Sequence, residues 1–385
     1  MYKNSKHLTH DSKTALVLSG GFAKAAFWHA GVVIGLEELG YLIQNNNNNQ
    51  YENNITTIVG SSAGALVGSM LANGYGALDL IEAHLPPYNG KIPPLKYRDI
   101  FNLGIESQIN PFSLLSINNK FEIIKFLNNL KSRPGFFSTD GIRNYLNKNI
   151  LKNNDYKNYE IDFFVTATQL DHSRKCVFGK YKYPNPKHDS TTHYYINFPV
   201  DQTISASMSV PILYHPVKIK NPNTNEFNYF LDGEIRDTLS THVAIDNGCE
   251  KIISSWIYTP YHYQKEIGSL FHYGMPAIGI QSLNLLIQKK IVSSRASFAT
   301  ARDILQTVDQ YCVDQKLPLD KKRKLLNILE VKLNYKEKIQ FIDIYPKVSD
   351  TDFFLTSSFS LSPKNIEKIV QLAKKRTIEV MNREL

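Results

Sequence analysis

Cysteine is scarce in this chain: three in 385 residues, Cys176, Cys249 and Cys312, far apart and with no C-x-x-C spacing. That spacing argues against a disulfide framework and a structural zinc site and for a reducing compartment, and no redox role is suggested. Long apolar runs are lacking as well. The longest apolar stretch, Ala25 to Leu36, contains Trp28 and His29, ends at Glu37-Glu38 and is too short to span a bilayer. The opening Met1 to Lys13 is polar and has no apolar h-region, so no secretory signal peptide is visible. Export by a signal-independent machine would leave no such trace, so the expectation is a soluble or peripheral protein, cytoplasmic or at a membrane surface, with that route open. Nucleotide-binding signatures of the forms GxGxxG and GxxxxGK[ST] are missing, and no nucleic-acid module motif is found.

What is present is ordinary globular material, 42% hydrophobic and 21% charged, enough for one large domain with an appendage. The net charge of +9 is unevenly placed, since residues 261–385 carry 20 Lys/Arg against 13 Asp/Glu. Two clusters, Lys321-Lys322-Arg323-Lys324 and Lys374-Lys375-Arg376, offer charge to anionic lipid or nucleic acid; the competing reading is a solvated helix face. Their apolar neighbours Leu325-Leu326 and Ile378 read as facing the core.

The pattern of elements is that of a parallel α/β sheet. Thr14 to Leu18 is a continuous apolar run ending in Ser19-Gly20-Gly21, the form of a buried strand opening into a tight loop, and Lys24 to Leu39 has approximate helical spacing with Gly40 as its stop. After a low-complexity loop at Asn45 to Asn49, strand Ile55 to Val59 and helix Ala63 to Leu71 repeat the unit. Leu85 to Arg133 is irregular and reads as a cap insertion. The core resumes with a strand over Ile161 to Thr168, a hairpin through Asp171-His172-Ser173 to Lys175-Phe178, and a strand at Tyr194 to Phe198. A short helix over Asp201 to Met208 follows, and Tyr214 to Lys220 pairs antiparallel with Asn228 to Leu231. A strand at Lys251 to Ile257, helices over Pro276 to Tyr311 and Leu319 to Leu333, a strand at Ile339 to Tyr345 and a helix from Pro363 complete the chain.

The stretch that points to chemistry is Ile55 to Gly68, where a β-branched run meets Gly60-Ser61-Ser62-Ala63-Gly64 and passes straight into a small-residue helix. A reversal so tight leaves no room for side chains beside the serine, so Gly60 and Gly64 let the backbone close while Ser62 projects at its apex. The following helix's amino terminus favours a developing oxyanion. The competing reading is a glycine-rich turn before a buried helix. A serine nucleophile needs a proton acceptor, and Asp232 stands at the end of the Tyr229-Phe230-Leu231 strand with Gly233 keeping the approach open. The other Asp-Gly, Asp140-Gly141, precedes an amphipathic helix and is better explained as a cap. Gly20 and Gly21 offer N–H groups toward a carbonyl oxygen, and Lys24 adds positive charge one helical turn on.

Ser19-Gly20-Gly21-Phe22-Ala23-Lys24, then Gly60-Ser61-Ser62-Ala63-Gly64, then Asp232-Gly233 resemble the patatin-like phospholipase family in order and spacing. Thr166-Ala167-Thr168, Ile204 to Pro211 and His215-Pro216-Val217 look like the same family, and the resemblance covers roughly residues 14–260. With the order of elements it leads to a three-layer α/β/α sandwich with a mostly parallel central sheet over residues 14–260; the cap insertion at about 85–133 and a mainly helical region over 261–385 packed on that core, where the resemblance weakens, are read from the elements themselves. It also implies a Ser-Asp dyad, with Ser62 as nucleophile, Asp232 as its base and the Gly20-Gly21-Phe22 loop with Lys24 as oxyanion site. No metal and no cofactor enter that chemistry. The partners implied are phospholipid or another lipid ester and, transiently, a membrane surface, without nucleic acid; a protein activator is unspecified. Where the family usually has a third loop glycine and another after the basic residue, this chain has Phe22 and Ala25. A Cβ at Phe22 restricts φ and is expected to disturb the loop.

Two other readings compete. An ordinary α/β-hydrolase would need a downstream histidine, His242, His262 or His272, but that fold places several strands before its elbow, and only one precedes Ile55. A non-catalytic lipid- or protein-binding module would explain Phe22 and Ala25, but Ser62 and Asp232 together speak against it.

Overall fold

The computed structural model describes residues 13–43, 53–103, 134–183, 191–336 and 338–384. Most of the cap insertion and the Asn45–Asn49 loop lie outside the described residues, as does nearly all of the polar opening.

In chain order the elements are β1 (Thr14–Leu18), α1 (Phe22–Glu38), β2 (Leu42–Ile43), β3 (Asn54–Ser61), α2 (Ala63–Ala72), α3 (Ala77–His84), α4 (Tyr97–Ile100), β4 (Gly135–Phe137) and α5 (Asp140–Asn149). Then come β5 (Asp162–Gln169), β6 (Arg174–Phe178), β7 (Thr192–Tyr195), α6 (Val200–Ser207), β8 (Ile212–Tyr214), β9 (Val217–Lys220) and β10 (Phe227–Asp232). The chain closes with α7 (Thr241–Asp246), β11 (Lys251–Ser255), α8 (Gly274–Asp314), α9 (Leu319–Leu333), β12 (Gln340–Ile344), α10 (Thr351–Leu355) and α11 (Pro363–Glu384).

The main sheet runs β12-β11-β1-β3-β5-β10-β9, with β2 beside β3, and with β6 and then β7 joined through β5. From β12 to β5 every pairing is parallel, whereas β10 lies antiparallel to both β5 and β9. The central strands are buried throughout because helices cover both faces, and the period of two in the strands divides the core accordingly. Leu16 and Leu18 of β1 join Ile58, Phe163, Ile253 and Ile342 in one cluster with α1, α2 and α11. Ala15 and Val17 join Val59, Phe164 and Ile252 in a second cluster with Val243 and Ala244 of α7 and Ile287 and Ile291 of α8. The result is the three-layer α/β/α fold with a mostly parallel sheet that the sequence predicts.

Two elements differ from expectation. The run Tyr214 to Lys220 is not one strand: Pro216 lacks an N–H, and the chain instead puts β8 beside β4 in a separate two-stranded sheet and β9 beside β10. The strand expected over Tyr194 to Phe198 ends at Tyr195, and Asn197 turns the chain at φ 68°. From the C-terminal third, β12 extends the main sheet and α11 packs along α1.

Candidate active site

The candidate residues found in the sequence gather at the carboxyl edge of the parallel strands, where open α/β sheets form their ligand crevices. Register explains why. Ser61, at the end of β3, is level with Thr166 of β5, and Asp232, at the end of the antiparallel β10, is level with Ala167 of the same strand. The elbow and Asp232 therefore face each other across one intervening strand. Leu18 is level with Gly60 on one side and Ser255 on the other, which brings the Ser19-Gly20-Gly21 loop to the same edge.

Ser62 is buried and stands at φ 52° and ψ −121°, in the left-handed half of the map that side chains avoid, immediately before α2. A residue held there costs about 1–3 kcal/mol, which the surrounding packing has to sustain. The elbow glycines supply the room: a Cβ on Gly60 would lie 2.6 Å from the Ala65 Cα, and one on Gly64 would fall onto the Leu18 carbonyl. The Ser62 N–H donates to Ser207 Oγ at 2.7 Å, and the Gly64 N–H donates to the Ser19 carbonyl at 3.0 Å, tying elbow to loop. Because glycine tolerates this φ, Ser62→Gly is expected to be about 1 kcal/mol more stable than Ser62→Ala, although both lose the hydroxyl. Chemical denaturation of the two variants side by side measures this.

Asp232 is 2% exposed, and the Ser62 side chain lies close enough to its carboxyl to favour the ionised form. Its Oδ1 also accepts the Glu234 N–H at 2.8 Å. Burial pushes its pKa up to about 7 against the opposing effects of the Ser62 side chain and the Glu234 N–H. A carboxylate so placed is a much stronger base than an exposed one.

The loop that faces the pair is held from several sides. His29 Nε2 lies 2.8 Å from the Ser19 carbonyl, which can only accept, so Nδ1 accepts in turn from Ser255 Oγ at 2.7 Å. Burial drives the His29 pKa down to about 4, and the ring is neutral. The Gly20 N–H is already used, donating to Glu234 Oε1 at 2.8 Å. Among the described residues the N–H groups of Gly21 and Phe22 carry no hydrogen bond, and these are the loop donors left for a ligand oxygen. Phe22 takes φ 60°, the conformation a glycine would adopt, and its ring packs on Phe359 with centroids 4.3 Å apart. The expected disturbance by its Cβ is thus met by strain and a ring contact while the left-handed turn is kept.

Lys24 is placed differently from the expectation that it charges the oxyanion loop. Its Nζ donates to the carbonyls of Phe353 at 3.3 Å and Thr356 at 3.0 Å and lies over the Phe353 ring, and burial lowers its pKa to about 8. Its own N–H donates to the Ser358 carbonyl. Lys24 and Phe22 together fasten the segment before α11 to the start of α1.

The histidines weighed for a triad lie elsewhere: His242 pairs with Asp237 at 3.2 Å, and His262 and His272 are exposed. Sequence reasoning missed Glu234, His29 and Ser207 as members of the site. The one sequence sign of Ser207 was the small-residue face of its helix, and His29 showed only as a polar break in an apolar stretch.

Comparison with known proteins gives the family. The family model for patatin-like phospholipase matches residues 16–245, and the chain belongs to that family. Its members are typically lipid acyl hydrolases. No curated protein sequence matches the chain. Among solved structures, that of VipD from Legionella pneumophila aligns at 15% identity over 97% of this chain and 67% of the other, with a TM-score of 0.39.

Proposed function

We propose that the protein hydrolyses ester bonds of phospholipids or related lipids through a Ser62-Asp232 dyad. The observation that carries the reading is the buried Asp232 carboxyl beside a serine on a strained elbow. Asp232 takes the Ser62 proton as Oγ attacks the ester carbonyl carbon, and the oxygen that becomes negative meets the Gly21 and Phe22 N–H groups and the amino terminus of α2. Collapse of the tetrahedral intermediate breaks the ester C–O bond, and the departing alkoxide takes the proton from Asp232. Water then gives a proton to Asp232 as it attacks the acyl-serine, and that proton returns to Ser62 Oγ as the fatty acid leaves.

Phospholipid substrates sit in aggregates, so such an enzyme has to dock. No helix among the described residues is long and apolar enough to cross a membrane. Of the two basic clusters, that on α11 is largely committed within the fold: Lys374 pairs with Glu38 and Arg376 with Glu379. On α9, Lys321, Arg323 and Lys324 are exposed, and so are Leu319, Ile328 and Val331. Leu325, read from the sequence as core-facing, is 37% exposed. Docking through α9 at a membrane surface, from the cytoplasmic side or after signal-independent export, fits this mixture of charge and apolar surface.

The test is release of fatty acid from vesicles of phosphatidylcholine with and without phosphatidylglycerol, read together with co-sedimentation. Wild type should release fatty acid and bind the anionic vesicles more strongly at low salt, because screening shortens the reach of exposed charge to about 8 Å at physiological ionic strength. A variant with Lys321, Arg323 and Lys324 neutralised should lose most of that difference. Release of no fatty acid from any lipid ester would refute the hydrolase reading, and equal binding to both vesicles would refute the docking surface.

A further inference from the structure

A second carboxyl lies in the site, and the dyad does not use it. Glu234 is 6% exposed and reaches across 214 positions of sequence to accept the Gly20 N–H on Oε1. Its other oxygen, Oε2, is buried and makes no well-formed hydrogen bond among the described residues, and the buried Ser61 hydroxyl lies beside it. An ionised carboxylate would place a second buried negative charge two residues from the Asp232 carboxylate, with the Ser61 hydroxyl alone to answer Oε2. An acid protonated on Oε2 removes that charge and supplies a donor next to Ser61 Oγ.

We propose that Glu234 is a positioning residue that holds the oxyanion loop through the Gly20 N–H as an uncharged acid, leaving Asp232 as the one negative charge beside Ser62. This rests on the hydrolase reading. The Gly20 bond fixes the peptide that precedes the free Gly21 N–H, so losing it lets the donors drift from the carbonyl oxygen. Every element around the acid bears on its proton. Asp232 on β10 and Asp237 beyond the turn are negative, the Tyr258 hydroxyl after β11 stays neutral with its pKa raised by burial and by both carboxyls, and Lys290 of α8 bonds the Glu234 and Ile235 main-chain carbonyls. Burial and then the Asp232 charge push the Glu234 pKa up to about 8, and Asp232, which accepts the Glu234 N–H while Glu234 Oε2 lacks a well-formed bond, is the better placed of the two to carry the charge. Ionisation of Glu234 brings in a second charge that opposes the developing oxyanion.

The experiment compares wild type, Glu234→Gln and Glu234→Ala in ester hydrolysis across pH, with an infrared titration of the protonated carboxyl band as a readout that needs no turnover. Wild-type kcat should fall again above about pH 8, the range of the buried acid. Glu234→Ala should lower kcat roughly 10- to 100-fold with KM little changed, as when donors are misplaced. Glu234→Gln keeps an acceptor for Gly20 and adds a permanent donor toward Ser61, so it should recover most of the kcat that alanine loses and show no alkaline fall. The infrared band lost in Glu234→Gln should titrate near pH 8 in wild type. An alkaline limb that persists in Glu234→Gln, glutamine as damaging as alanine, or a Glu234 band absent above pH 5 would overturn the proposal. Activity that survives Ser62→Ala would instead refute the hydrolase reading, and the infrared titration would still decide the charge of Glu234.

Discussion

Ser62→Ala should reduce hydrolysis of a short-chain nitrophenyl ester by about 10⁴-fold or more, to the level that binding and the loop donors supply unaided. The change removes one hydroxyl and no core volume, and the elbow's other supports remain: the Ser62 N–H bond to Ser207 Oγ and the Gly64 N–H bond to the Ser19 carbonyl belong to the backbone. Circular dichroism and the melting transition should therefore match wild type. Retained turnover with an intact fold would remove Ser62 from the chemistry and leave the elbow as a packing device.

Asp232→Asn should cost about 10³- to 10⁴-fold in kcat, because an amide keeps an acceptor oxygen for the Glu234 N–H but cannot take the Ser62 proton. Activity of the wild type should fall as pH drops through about 7, the value to which burial raises Asp232, since only the ionised carboxylate is a base. The same shift fixes the sign of a stability effect. The folded-state pKa lies above the unfolded one, so the fold prefers the protonated acid and loses stability as pH rises from the ordinary carboxylate range to about 7. Asp232→Asn removes that loss and should be more stable than wild type at pH 8 while nearly inactive. A pH-rate profile and denaturation at pH 5 and pH 8 measure both. An alanine variant of His242 that lost activity while Asp232→Asn kept it would favour a triad.

The parts of this site that were legible in the sequence are those whose constraints are local. A β-branched strand, two glycines and a small-residue helix within Ile55 to Gly68 can hardly be arranged otherwise, and an Asp-Gly at a strand end announces its position. The period of two that buries β1 on both faces likewise follows from a few adjacent residues. What escaped was set by distance. Glu234 reads as one more acidic residue after a turn until β10 is laid beside β5 and its carboxyl meets Gly20. Lys24 has a helical position consistent with the oxyanion loop, yet its ammonium is taken by carbonyls more than 300 positions away in the chain, which no local pattern encodes. The division of Tyr214 to Lys220 was readable in principle, because Pro216 cannot donate within a ladder.

The dyad itself is tested most directly by a fluorophosphonate probe on the native protein, followed by peptide mass spectrometry. Ser62 Oγ attacks phosphorus, fluoride leaves, and its proton passes to Asp232, so the adduct reports both nucleophile and base without assuming any lipid. The account predicts one adduct, on the peptide containing Ser62, forming faster as pH rises through about 7, slow in Asp232→Asn and absent in Ser62→Ala. An unlabelled native protein, or an adduct on another serine that persists in Ser62→Ala, would contradict it.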